Sequence, residues 1–196
     1  YKGSMPARFG GRVSSVLDLG LKEGNRKELK GSGGIGLISS RLTLEGPVKE
    51  GVSGVIVSWR RSYIDGLTRP YVETTQAAGS GYFFYDLNAK YNHRFSDRDE
   101  VFVSSYFGRD VFSFNSADAG FGASIPWGNA MVSFRWNHVV NDKVFLNVNA
   151  SYSNYEFAFG SGQADLEFGF ESGVVDWTQK AQLSWHPNLR HKIRGG

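Results

Sequence analysis

From Glu28 onward the chain repeats one pattern: stretches of about ten residues in which apolar and polar side chains alternate, set apart by Gly, Asn, Asp, Ser and Pro. Strict alternation puts successive side chains on opposite faces of a strand, so one face of each stretch is apolar and the other polar. Val144, Leu146, Val148, Ala150 and Tyr152 fall on one face, and Asn147, Asn149, Ser151 and Ser153 on the other. Phe134 and Trp136 likewise oppose Arg135 and Asn137, and Phe83, Tyr85 and Leu87 oppose Asp86 and Asn88. Leu183 and Trp185 join the apolar set and Lys180 the polar one.

The pattern predicts strands over 28–37, 41–48, 52–64, 82–95, 100–114, 130–140, 144–159 and 174–186, with a ninth starting at 191. The punctuation between them is itself uneven. Short turns are expected at Ser39-Ser40, 49–51, 96–99, 141–143 and Pro187-Asn188, and long polar loops at 65–81, 115–129 and 160–173. Short turns at one end of a sheet and long loops at the other are the pattern of bacterial membrane barrels. Expected strands of ten residues or more also exceed the five or six usual in globular sheets.

Composition narrows the classes further. Aromatic residues make up 15% of the chain, with 25 glycines and 15 phenylalanines, a mixture that favours all-β structure. No apolar run approaches the roughly 18 residues that a spanning helix needs. The mean hydropathy of −0.33 is no bar to a barrel, whose strands offer lipid only every second side chain. The formal net charge of +3 is spread among 22 basic and 19 acidic residues, so no nucleic-acid footprint emerges. The absence of cysteine removes disulfides, thiolate nucleophiles and Cys-based zinc sites. Tyr1 has no basic and apolar leader before it, and a processed or truncated amino terminus is expected.

Motifs with chemistry are few. Gly31-Ser32-Gly33-Gly34-Ile35-Gly36 matches the spelling of a dinucleotide fingerprint, but a strand rather than a helix is expected to follow it. Glycines packed where the wall passes close to another part of the chain are the better reading. His93, His138, His186 and His191 include no pair at metal-motif spacing, and no Gly-x-Ser-x-Gly elbow occurs. Nothing points to an enzyme, a cofactor or a metal. Asn149-Ala150-Ser151 has the spelling of a glycosylation acceptor in mid-strand, where chance explains it.

Two blocks carry a family resemblance. Met5-Pro6-Ala7-Arg8-Phe9-Gly10-Gly11-Arg12, followed by Ser14-Ser15-Val16-Leu17-Asp18, resembles the end of the plug domain of TonB-dependent outer-membrane receptors of Bacteroidetes type. The run from Gly33 to Pro47 resembles their first barrel hairpin. The resemblance implies that 1–26 end a plug domain and that 27–196 form the first eight to nine strands of an antiparallel transmembrane β-barrel of roughly 22 strands, the size class of a plugged lumen. It further implies residence in the bacterial outer membrane, surrounded by lipid. The implied function is uptake of a solute, such as a siderophore or glycan, energised by TonB through a segment outside this chain. It leaves room for a surface lipoprotein as a further partner.

Five residues are candidates for solute contact: the inward-facing Arg60 and Arg135, and the loop aromatics Tyr71, Phe121 and Trp127. The bland readings are pairing of the arginines with plug residues or lining of a water-filled lumen, and packing of the loops on one another. The runner-up function is a small outer-membrane barrel without transport, an adhesin or structural protein. A soluble β-sandwich binding module and a barrel enzyme are further alternatives.

Overall fold

The computed structural model describes residues 20–163, 166–188 and 190–196, so most of the expected plug end, 1–19, lies outside the described residues. The alternating stretches form one antiparallel sheet of nine strands, ordered as in sequence. They are β1 (Lys30–Ile35), β2 (Ser39–Lys49), β3 (Ser53–Ser62), β4 (Gly81–Arg94), β5 (Asp99–Ser116), β6 (Phe121–Asn141), β7 (Val144–Gln163), β8 (Leu166–Asn188) and β9 (His191–Gly195), with one helix, α1 (Ile64–Val72), between β3 and β4. The sheet does not close, and β1 and β9 are its edges. No described helix is long and apolar enough to cross a membrane, which says nothing of strands.

Four expected connections are corrected. Residues 121–129 and 166–173, read as loop, are strand, so β5 and β6 are joined by 117–120 alone. The misreading has a physical cause. Glycine at alternate positions looks like turn punctuation, yet here it supplies the small side of a strand whose other side is aromatic, as in Phe157, Phe159, Gly160 and Gly162. Pro126 sits where the β6–β7 ladder skips two pairs, at Ile125 and Pro126, which suits a residue without an amide proton. Residues 64–72 of the expected 65–81 loop are helical, without a side-chain N-cap and with Pro70 inside. Arg69 Nε donates to Glu73 at 2.5 Å, a contact that raises the Arg69 pKa further above its already high value. The expected turn at Ser39-Ser40 falls at 36–38 instead, closed by the Gly36 amide donating to the Ser39 carbonyl at 2.9 Å.

The connections 50–52, 95–98 and 142–143 lie at one rim, and 63–80 and 117–120 at the other. Hairpin connectivity alone requires this alternation, and the sidedness lies in size, since only 63–80 exceeds a few residues. Gly51 (φ 69°) and Gly120 (φ 56°) take the left-handed conformation that their tight turns require.

Register fixes the faces. Trp136 pairs with Val148 and Phe134 with Ala150, while Val148 pairs with Ala181 and Leu146 with Leu183. Val101 and Val103 join them from β5, Tyr91 and Leu87 from β4, Val55, Val57 and Trp59 from β3, and Leu42 and Leu44 from β2. We call this the front face. The back face carries Arg135, Asn149 and Lys180 in one cross-strand row, and Arg60 beside Asp86 in another.

Burial runs opposite to that of a water-soluble sheet. The front face is open, with Trp59 43% exposed, Phe134 40% and Leu183 45%. On the back face Glu45, Asp86, Lys90 and Asn92 are buried, and Phe102 is the one buried hydrophobic side chain among the described residues. Residues 20–26 cover part of this face. Lys22 Nζ meets Glu45 Oε1 at 2.6 Å, Lys90 Nζ donates to the Leu21 carbonyl at 2.8 Å, and Arg26 pairs with Glu100. Gly24 lies directly against the Val55 backbone and Gly54 against Gly24, so a Cβ at either would collide with main chain. Such a close approach was expected of the glycines between Gly31 and Gly36. Gly31 and Gly33 instead lie in the exposed edge strand β1.

Candidate functional site

The alternation reverses phase at one level of the sheet. Gly108, Asn129, Tyr155 and Val174 form a continuous row of cross-strand neighbours on the back face. Between this row and the short-turn rim the front face is apolar. Beyond it, toward the 117–120 rim, the aromatic side chains move to the back: Phe112 and Phe114 on β5, Phe121 and Trp127 on β6, Tyr155, Phe157 and Phe159 on β7, and Phe168 and Phe170 on β8. The front face there carries Glu156, Gly160, Gly162, Glu167, Gly169 and Glu171 instead.

Rings on this back-face extension touch across strands. Trp127 stacks with Tyr82 at 6.4 Å and 24°, Phe157 tilts against Phe170 at 6.5 Å, and Phe159 against Phe168 at 6.1 Å. Such offset contacts contribute about 0.5–1.5 kcal/mol each beyond area burial. Tyr82 donates its phenolic proton to Asp110 Oδ1 at 2.7 Å, which orients the ring under Trp127. Phe84, tilted 6.0 Å from Tyr82, carries the Arg60 guanidinium 4.7 Å above its centroid, and Arg60 in turn forks onto Asp86 at 2.6–2.7 Å. The sequence Trp127, Tyr82, Phe84, Arg60, Asp86 is thus one continuous surface of rings ending in an ion pair.

The five expected contact residues separate. Trp127 and Arg60 belong to this surface, and Phe121 lies on the same face farther out, tilted against Phe114 at 6.4 Å. Both Phe121 and Trp127 stand on β6 and not in a loop, a correction that gives them fixed orientations. Arg135 is on the same face but eight residues down β6, roughly 26 Å at the usual strand rise, and stacks 4.3 Å over Phe102. Lys90 Nζ lies 5.2 Å from the same ring centroid. Tyr71 is on α1, 78% exposed, with no ring partner among the described residues. Tyr82, Phe84, Phe157 and Phe170 were not foreseen as contact residues, although the aromatic residue at every second position of 155–159 and 166–170 was there to be read.

Polar side chains elsewhere on the back face bond to one another. Asn147 Nδ2 donates to Asn137 Oδ1 at 2.5 Å, Asn149 donates to Asn147, and Thr43 and Ser58 hydroxyls meet at 2.9 Å. On the front face at the short-turn rim, Asp99 Oδ1 accepts from Trp136 Nε1 at 3.1 Å and contacts His138 Nδ1 at 2.7 Å. Indoles with a bonded N–H at the edge of an apolar band suit a boundary between lipid and water. Among the described residues no group of acidic or histidine side chains is arranged to hold a metal ion.

The arrangement can solvate polar groups along the back face, stack rings at its outer end, and present a mainly apolar band over the front of its lower half. Comparison with protein-family models, with curated proteins and with solved structures gave no match to this chain.

Proposed function

We propose that this chain is a stretch of the wall of an outer-membrane β-barrel transporter of the TonB-dependent receptor type, with its front face toward lipid and its back face toward the lumen. The observation that carries the reading is the inverted burial: a nine-stranded sheet with open hydrocarbon on one face and buried Glu45, Asp86, Lys90 and Asn92 on the other. In water, each exposed apolar side chain of that face forfeits about 1.5–3 kcal/mol of burial. Facing lipid, the same side chains need no protein cover. A soluble sandwich would require the reverse distribution.

In this reading β1 and β9 continue into further strands of a wide barrel, since an open edge in hydrocarbon leaves amides and carbonyls unpaired at several kcal/mol each. Residues 20–26 are the end of a plug bound to the lumenal wall. The ring surface from Trp127 to Arg60 lies in the outer part of the lumen, where an arriving solute would meet it, while Arg135 lies deeper. TonB acts through a segment beyond these residues, and uptake rather than catalysis is the output.

Membrane fractionation tests the location and uptake assays test the activity. Deletion of the gene, and collapse of the proton gradient in cells that retain it, are expected to abolish accumulation of the same solute from a panel of labelled iron chelates and oligosaccharides. Uptake that survives an ionophore, or recovery of the protein with the soluble fraction, would overturn the proposal.

A further inference from the structure

On the front face, at the level where the alternation reverses, lies a groove of about 710 Å³ running along β6. Its floor is Pro126, Gly128 and Ala130, which hardly rise above the backbone, and β5 and β7 form its banks. Those banks stand two strand spacings apart, roughly 9.5 Å, so their side chains leave width for one hydrocarbon chain. The floor cannot be raised cheaply, because a Cβ at Gly128 would stand 3.1 Å from the Gly108 carbonyl oxygen.

The groove is divided by height. Its lower end, open to the apolar band, is bounded by Phe107 on β5 and by Asn154 on β7, with Val175 beyond on β8. Level with Gly128, halfway up the floor, stand Arg109 on one bank and Glu156 on the other, with Glu171 one level higher on β8. Glu156 accepts from Asn154 Nδ2 at 2.9 Å, whereas neither Arg109 nor Glu171 has a hydrogen-bonding or ionic partner among the described residues.

We propose that this groove seats one acyl chain of a membrane lipid whose head group carries both a phosphate and an ammonium, the phosphate at Arg109 and the ammonium between Glu156 and Glu171. The inference rests on the wall reading above. Charge selects the head group: with one cation and two carboxylates at the mouth, a purely anionic head meets more repulsion than attraction. A purely cationic head leaves Arg109 unanswered in a site that lipid would dehydrate. A zwitterion satisfies both signs, and the apolar half of the groove takes the chain attached to it.

The test is native mass spectrometry of the whole native polypeptide extracted in mild detergent, titrated with phosphatidylethanolamine and with phosphatidylglycerol of matched chains. One phosphatidylethanolamine should be retained at about tenfold lower concentration than phosphatidylglycerol. Arg109→Gln and Ala130→Leu should each weaken that retention roughly tenfold, the first through the head group and the second by raising the floor. Glu171→Gln, at an exposed position, gives the same readout without touching the floor, and unchanged heat-modifiable mobility shows that each variant is folded. Equal retention of the two lipids, or retention indifferent to all three substitutions, overturns the groove assignment. A protein that never enters the membrane fraction overturns the wall reading with it.

Discussion

The lower and upper halves of β5–β8 use one backbone geometry and the same residue types, yet distribute them in opposite ways. Below the row of Gly108, Asn129, Tyr155 and Val174, hydrocarbon is in front and amides, hydroxyls and charges are behind; above it, carboxylates and glycines are in front and rings behind. Nothing in the hydrogen-bond ladder changes at that row, since the β7–β8 register runs without a shift from Val144 opposite Trp185 to Gln163 opposite Leu166. The difference therefore records surroundings and not fold. A continuous sheet that exchanges its apolar face partway along has two environments along its length, and in the proposed reading a membrane surface at that level supplies both.

The sharpest way to break this comparison is to put one charge at both levels of the front face. Val148→Arg, in the lower band, should cost on the order of 2–4 kcal/mol in a folding titration in lipid if it lies near the midplane. Glu167→Arg, on the same face in the upper half, should stay within about 0.5 kcal/mol. Asn149→Arg, one residue along but on the back face, should also be far milder than Val148→Arg. Equal damage at Val148 and Glu167 would mean that the two halves share one environment.

A second measurement sharpens the boundary by touching only the solvent. Of the five tryptophans, Trp59, Trp136, Trp177 and Trp185 lie on the front face, and Trp127 alone on the back. In single-tryptophan variants reconstituted with brominated acyl chains, the first four should be quenched and Trp127 should not. Quenching of Trp127 equal to that of Trp185 would remove the distinction.

Two smaller effects probe the upper back face from within. A double-mutant cycle on Tyr82 and Trp127 should give a coupling of about 0.5–1.5 kcal/mol, because the rings stack and the Asp110 bond fixes one of them. The Arg60–Asp86 cycle should give about 0.2–1 kcal/mol, since the arginine side chain is 54% exposed and water screens the pair. An Arg60 coupling several times larger would mean that the inner end of the surface is dry.

How much of this was legible in sequence follows the same division. Where the alternation kept one phase, as in 144–152, strand, face and partner set could be read from residue spacing alone. Where the phase changed, alternate glycines imitated turns, and Phe121 and Trp127 were expected on a loop although they stand on β6. Helix α1 escaped because Gly66 and Pro70 argue locally against it, and its place depends on the turn between β3 and β4. Among the contact candidates, the facing of Arg60 and Arg135 was legible. Their partners, Phe84 and Phe102, were not, since cross-strand stacking depends on register, and register is a property of two segments at once.

Residues 20–26 hold together strands that are distant in the chain. They touch β2 through Glu45, β3 through Val55, β4 through Lys90 and β5 through Glu100, contacts that span up to 74 positions. Each hairpin can close on its own neighbour within a short loop, but this segment has nothing to bind until four strands already stand side by side. In the order of assembly it is therefore a late arrival. The hairpins zip first and the strap seats afterwards, so substitutions at Lys22 or Arg26 should speed the loosening of the finished sheet while leaving the rate of its formation almost unchanged.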